Sequence, residues 1–367
     1  MVELKQRTLD EVKALSQDEA VEIIRQAGVV GAGGGGFPTY FKYKNPQPML
    51  LVNATESEPG YWADKVVHRE YFGNFLELYE AIKSIFGFET IRMGIHEKDR
   101  EWFSNYAEHA DGLYDMAYVP DKYALGEEKT LIKHATDTKV PRRVEMPDGS
   151  KRPGLPLDAG IIVNNSETLL NVYNALFFGK PVTTKFLQVF GPELELKIYE
   201  IPLGASVTEV VGIAGVNVEN SHHLCVIDGG PYLNEMGIEE LGEGDAYVRR
   251  TTNGLLLIPK DTQSKEYADI KTKAPEEGIV SLVREVSGVS IPLGGRFLKP
   301  ARALVSEGEE VEYEQKIGEP VEEGFSIGVW ASMEGTISSI EDDIVAISGG
   351  AMPQEEARKE AEAEATR

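Results

Sequence analysis

Between positions 31 and 36 the chain reads Gly-Ala-Gly-Gly-Gly-Gly, so Gly31, Gly33 and Gly36 satisfy G-x-G-x-x-G. A backbone without Cβ atoms can come close to a phosphate or a flat ring and turn its N–H groups toward an anion. The spacing alone is weak evidence. The loop follows a helical stretch rather than a strand, so the βαβ dinucleotide context is not met, and a flexible surface turn is the plain alternative. The residues after it narrow the choice. Phe37-Pro38-Thr39 closes the loop with stiff, bulky side chains that a floppy linker does not need, and Lys42 follows at a reach suited to a phosphate. Asn53 then ends a short apolar stretch, at a strand-to-loop position of the kind that often carries function. Glu56, Glu58 and Asp64 come next. Acidic side chains beside a glycine loop can take ribose hydroxyls or amide groups; each of them singly reads equally well as solvated surface.

These residues need elements to hold them. Residues 8–27 predict a helix, with Ser16 and Glu19 at capping-box spacing and Gly28 as its stop. Residues 49–52 predict a buried strand, 71–86 an amphipathic helix, 91–95 a strand, 100–109 a helix and 116–119 a strand. This alternation continues to residue 178 and predicts a layered α/β domain. From about 183 the pattern changes. Residues 184–190 and 194–201 predict a hairpin, 206–214 a helix and 224–228 a strand, together a small β-grasp-like unit. The charged, weakly patterned stretch 260–290 reads as a linker. From 300 to 348 short strands alternate with turns, as in a small all-β barrel, and the charged tail 354–367 predicts a solvated helix or disorder.

Bulk properties exclude several classes. A net charge of −24 disfavours nucleic acid and anionic membrane surfaces as partners and suits a partner with a basic face. The single cysteine, Cys225, allows no intrachain disulfide and no all-thiolate cluster, and its apolar neighbours predict a core thiol. The first residues lack a signal-peptide pattern and no apolar run is long enough to span a bilayer, so a cytoplasmic protein is expected. The adjacent His222 and His223 do not suggest a metal site.

The run Gly33 to Thr39, with Lys42, resembles the flavin loop of the NADH-oxidising flavoprotein subunit of respiratory complex I and of the C subunit of the Rnf complex. Asn53-Ala54-Thr55-Glu56-Ser57-Glu58-Pro59-Gly60 resembles the second signature of that family, Tyr123-Ala124-Leu125-Gly126-Glu127-Glu128 the third, and Asn164-Asn165-Ser166-Glu167-Thr168-Leu169 the fourth. Residues 184–258 are similar to the soluble-ligand-binding β-grasp (SLBB) module of these proteins. The C-terminal unit, with Ala331-Ser332-Met333-Glu334-Gly335-Thr336, is similar to the barrel-sandwich hybrid of Rnf C subunits. Its position last in the chain resembles the order in the cobalamin reductases of propanediol microcompartments.

The resemblance implies an α/β flavin-binding domain over 1–183, an SLBB β-grasp domain over 184–259, a linker over 260–299, a barrel-sandwich hybrid over 300–350 and a charged tail over 351–367. It implies that Gly31, Gly33, Gly34 and Lys42 contact FMN, with Lys42 near the phosphate. Asn53, Glu56 and Glu58 would lie by the isoalloxazine or the nicotinamide. Tyr123, Gly126, Glu127 and Glu128 would close over the flavin and bind dinucleotide, and Asn164, Asn165 and Thr168 would hold the FMN phosphate at the start of a helix over 169–178. Glu58 and Glu128 would orient the nicotinamide of NADH and adjust the flavin potential. Three departures stand out. Thr55 replaces a usual aspartate, Ala32 a common arginine, and the 259–300 stretch lacks the relatives' cluster-binding cysteines. The expected activity is therefore NADH oxidation with FMN and no iron–sulfur cluster in this chain. Electrons would pass to a separate iron–sulfur, flavin or corrinoid protein, and a peripheral place on a membrane complex is compatible with this role. An FMN relay without NADH, and a non-enzymatic scaffold with a degenerate flavin pocket, are the other readings. The barrel also resembles biotinyl and lipoyl carriers, but Ser332-Met333-Glu334 has no lysine to carry a swinging arm.

Overall fold

The structure is a computed structural model and describes residues 3–349 apart from 57, 123–125, 193, 222, 233–237 and 241–245. Tyr123, His222 and the tail over 351–367 therefore lie outside the described residues. The chain divides into two compact units. The first holds residues 1–25, 29–31 and 38–180, and the second holds 26–28, 32–37 and 181–367.

The first unit opens with two helices, α1 (Leu9–Lys13) and α2 (Gln17–Gln26), where the sequence predicts one over 8–27. Two capping boxes explain the break. Glu11 accepts from the Thr8 N–H at 2.7 Å, and Glu19 accepts from the Ser16 N–H at 2.9 Å. Each box starts a helix, so the second interrupts the first. Then come α3 (Thr39–Lys44), β1 (Met49–Asn53), α4 (Ala63–Glu70), α5 (Phe72–Phe86), β2 (Thr90–His96), α6 (Ser104–Glu108), β3 (Asp115–Val119), α7 (Glu128–Ala135), β4 (Arg143–Glu145), β5 (Lys151–Pro153), β6 (Ile161–Asn165) and α8 (Ser166–Tyr173). Phe75, Leu78, Tyr79, Ile82 and Phe86 are buried on one side of α5, as their spacing predicts, and Gly87 at φ +67° ends it. No local pattern in the sequence predicts α4. Its inward positions include Lys65 and His68, which break the apolar pattern although both are buried. Only residues 104–108 of the helix predicted over 100–109 form an α-helix. The helix predicted over 169–178 begins three residues earlier, and its last turn, Asn174–Phe178, is a π-turn.

Strands β3, β2, β1 and β6 lie in that order in one parallel sheet, with Asn53 beside Gly94 on one side and Asn165 on the other. The near-continuous apolar runs of β1 and β6 fit strands covered on both faces. Leu51, Ile161 and Val163 pack with Leu131 and Ile132 of α7 in one core cluster.

The second unit contains β7 (Thr184–Gly191), β8 (Leu194–Pro202), α9 (Val207–Ile213), β9 (Leu224–Asp228), β10 (Ile238–Glu240), β11 (Gly254–Pro259) and β12 (Val280–Ser281). These strands form a sheet in the order β10-β9-β11-β7-β8-β12, with β7 and β8 antiparallel and β11 parallel to β7. Hairpin, helix and returning parallel strand make a β-grasp arrangement as expected, but the strand that returns beside β7 is β11, while the predicted strand at 224–228, β9, pairs antiparallel with β11. Then follow β13 (Gly288–Pro292), β14 (Arg302–Ala303), β15 (Glu310–Val311), β16 (Lys316–Glu319), β17 (Val329–Trp330), β18 (Gly335–Glu341) and β19 (Ile344–Ser348). They make two antiparallel sheets, β13-β19-β18-β15 and β14-β16-β17, the C-terminal barrel-sandwich hybrid. Two strands fall in the 260–299 stretch: β12 pairs with β8 and β13 with β19. One core runs through the unit, from Leu187 and Ile201 to Ile317 and Ile347. Cys225 is buried. At the barrel hairpin Ser332 and Met333 are buried, and Ser332 Oγ donates to the Leu203 carbonyl at 2.6 Å.

Candidate functional site

The order of the parallel sheet singles out one place. The chain moves from β1 outward through β2 and β3, then returns to lay β6 on the opposite side of β1. Open α/β sheets bind ligands outside the carboxyl ends of the strands at such a reversal. Here those ends are Asn53 and Asn165, side by side in register.

Each asparagine there is engaged. Asn53 Oδ1 accepts from the Thr55 N–H at 3.1 Å and from its hydroxyl at 2.7 Å, while Nδ2 donates to the Gly126 carbonyl at 3.1 Å. The side chain thus shapes the turn after β1 and ties it to the third motif. Asn164 is buried and its Nδ2 donates to the Tyr43 hydroxyl at 2.8 Å, but its Oδ1 has no hydrogen-bond partner among the described residues. Burial holds the Tyr43 phenol well above its ordinary pKa, against the lowering effect of Asn164. Asn165 caps α8: its Oδ1 accepts from the N–H of Thr168 at 3.3 Å and from the Thr168 hydroxyl. Its Nδ2 and the Ser166 hydroxyl both donate to the Asp64 carboxylate, which therefore lies at the positive end of α8.

Charged groups complete the cluster. Lys42 reaches from α3 to the Val163 carbonyl at 2.8 Å and to Glu128 at 3.3 Å. Glu127 caps α7, accepting from both the N–H and the hydroxyl of Thr130 at 2.8 Å. Burial, then repulsion from Asp64 and Glu58, pushes the Glu56 carboxyl up to about 8, with Lys65 opposing. Glu58 is buried, and Lys65 forms a buried ion pair with Asp99 at 2.9 Å. The Lys65 ammonium also sits 4.6 Å from the centre of the Trp62 ring.

Of the residues expected from the sequence, Gly31, Lys42, Asn53, Glu56, Glu58, Gly126, Glu127, Glu128, Asn164, Asn165 and Thr168 belong to the first unit. Lys42 meets Glu128, Asn53 meets Gly126, and Asn165 meets Thr168. Gly33 and Gly34 are counted with the second unit. The sequence reading missed Tyr43, Ser166 and the role of Asp64 in anchoring α8. Their partners lie more than a hundred residues away, as in Asn164 to Tyr43 and Ser166 to Asp64, so no local spacing marks them. Chemically, the cluster offers the Lys42 ammonium to an anion and the buried Asn164 Oδ1 to an incoming donor, while the Asn165 amide, the Ser166 hydroxyl and the start of α8 hold the Asp64 carboxylate and serve another anion only when it is displaced. That donor set fits the phosphate and ring amide of a phosphorylated flavin. Among the described residues no group of three or more His, Cys, Asp or Glu side chains is arranged to hold a metal ion.

Comparison with known proteins agrees with this geometry. Residues 24–174 match the family model of the Nuo51 FMN-binding domain, and residues 266–354 match that of the RnfC barrel sandwich hybrid domain. The cobalamin reductase PduS of Salmonella typhimurium is 31% identical over 67% of this chain and 51% of its own length. A subunit of the ion-translocating oxidoreductase complex of Pseudomonas aeruginosa is 31% identical over 58% of this chain and 27% of its own. The chain thus spans about half the length of one relative and a smaller part of the other. A crystal structure of NAD+-reducing NiFe-hydrogenase in the H2-reduced state shares the fold, with a TM-score of 0.54 and 19% identity over 70% of this chain and 49% of that one. Residues 24–174 thus belong with the Nuo51 FMN-binding domains, and residues 266–354 with the RnfC barrel sandwich hybrid domains.

Proposed function

We propose that this chain binds FMN at the carboxyl end of its parallel sheet, takes hydride from NADH and passes the electrons to a separate redox protein. The observation that carries the reading is the gathering of Lys42, Asn53, Asn164 and Asn165 around the ends of β1 and β6, inside the segment that matches the FMN-binding family. When bound, FMN supplies a hydride acceptor that can release electrons one at a time. Lys42 would exchange its half-exposed partner Glu128 for the phosphate. On leaving the Asp64 carboxylate, Asn165 Nδ2 and the Ser166 hydroxyl would add neutral donors to the same dianion, and Thr168 would follow by leaving the Asn165 oxygen. The buried Asn164 Oδ1 would accept from a ring N–H. Glu128, released from Lys42, would orient the nicotinamide together with Glu58, and the carboxylates of Glu58 and Asp64 would disfavour added negative charge and so lower the flavin potential, with Glu56 beside them protonated at neutral pH. Gly31, Gly33 and Gly34 are assigned to the flavin from their motif alone, and Tyr123 likewise.

The names of the relatives support a redox role, since one is a cobalamin reductase and another belongs to an ion-translocating oxidoreductase complex. With one cysteine in its sequence, this chain lacks the thiolates of an iron–sulfur cluster. The acceptor is then a partner carrying iron–sulfur, flavin or corrinoid. No helix among the described residues is long and apolar enough to cross a membrane. A second reading keeps FMN as a relay without NADH. It is favoured by Glu127, whose carboxylate is used to cap α7 rather than offered to a dinucleotide.

The test is reconstitution of the cofactor-free chain with FMN, followed by quenching of flavin fluorescence. The unaltered protein is expected to bind FMN stoichiometrically. Lys42→Met is expected to weaken binding at least about tenfold, the usual worth of a hydrogen bond to a charged group. A correctly folded protein that binds no FMN overturns the reading.

A further inference from the structure

Residues 26–28 and 32–37 are held within the second unit by contacts at three places. At the first, the Trp330 indole N–H donates to the Gln26 carbonyl at 2.8 Å and Lys316 Nζ donates to Gln26 Oε1 at 2.6 Å. Gly28 and Gly328 meet there as well. A Cβ on Gly28, which has φ +81°, would stand 2.6 Å from the Gly328 carbonyl oxygen, and a Cβ on Gly328 would stand 2.0 Å from that of Gln26. Both glycines are therefore required for the backbones to touch. At the second place, Phe37 packs edge-on against Phe297 and Phe325, with ring centres 5.7 and 5.6 Å away. Between these ends, Gly36 at φ +64° leaves no room for a Cβ, which would stand 2.8 Å from the Thr251 methyl carbon.

We propose that the C-terminal barrel is a clamp for the glycine-rich loop: Trp330 and Lys316 at one end, with Phe297 and Phe325 at the other, hold it ready for ligand and make the barrel a positioning element for the flavin. The inference rests on the reading of this loop as part of the FMN site. Glycine has more backbone freedom to lose than any other residue, so a run of four glycines tethered loosely would pay heavily on ordering around a ligand. Fixing both ends in advance removes most of that cost and appears as affinity. It also gives the barrel a role that its hairpin, packed and without a carrier lysine, cannot supply as a swinging arm.

The full chain carrying Trp330→Phe and Lys316→Met keeps the ring and the aliphatic stem but removes both donors to Gln26. Two quantities are read: hydrogen exchange of amides 31–37 in FMN-free protein, and FMN affinity. The expected result is exchange at these amides faster by about tenfold and an FMN Kd higher by about tenfold, with little change in Tm. Lys316→Arg, which keeps a donor, should show little of the effect of Lys316→Met. Thr336→Val is the control. It removes a 2.6 Å hydrogen bond to Glu310 elsewhere in the barrel and should leave both readouts within about twofold. Loop exchange in the double variant equal to that of the unaltered protein overturns the clamp. Should the double variant not fold, Gln26→Leu removes the receiving side chain from the loop side and is judged in the same way. If the unaltered protein binds no FMN, the functional reading fails, and loop exchange still decides the clamp.

Discussion

Glu56 sits where Glu58, Asp64 and Lys65 meet, and burial with the two carboxylates raises its pKa from 4.5 to about 8. The folded protein therefore keeps this proton at pH 7, while the unfolded chain loses it near pH 4.5. Because the folded state holds the proton more tightly, stability from this residue falls as pH rises from about 4.5 to about 8 and is level above. Replacement by glutamine removes the ionisation. Glu56→Gln should match the unaltered stability near the low end of that window, exceed it increasingly up to the high end by roughly 2–4 kcal/mol, and keep that margin above it. Thermal melts across the window check this, and a Tm difference independent of pH would show that Glu56 ionises in the fold as it does in water. At this scale the sequence was most informative about the asparagines, which stand at strand ends. It said least about Tyr43 and Asp64, whose meaning depends on partners brought in by the sheet.

The helix starts do the positioning at the next scale. Glu127 starts α7 and Asn165 starts α8, each by accepting from the residue three positions on. Glu127→Ala should cost about 1 kcal/mol of stability, and Glu127→Ser, still able to cap, should recover most of it. If instead both substitutions leave stability alone and both abolish NADH affinity, Glu127 is a ligand and not a cap. Elements with strong local patterns were legible in the sequence: β1, α5, the hairpin of β7 and β8, and β9. Those that were not have identifiable reasons. The stretch 8–27 splits because a second capping box competes with continuation of the helix. α4 hides because a buried ion pair and a buried histidine stand in for apolar residues. β12 and β13 are short, and their partners β8 and β19 are far away in the chain, so neither carries a period of its own.

At the scale of the whole molecule, the two family matches and the order of elements agree with the fold class expected from sequence. The sequence also limits what the chain does with electrons. One cysteine supplies no cluster, and a charge of −24 favours a partner with a basic docking face. In the proposed function, electrons enter from NADH. The direct measurement is an anaerobic titration of the FMN-loaded protein with NADH, followed by the visible flavin absorbance. The yellow colour is expected to bleach to completion with about one NADH per FMN, the two electrons of a hydride. Absorbance that stays unchanged in excess NADH, in a sample that dithionite bleaches fully, would contradict it.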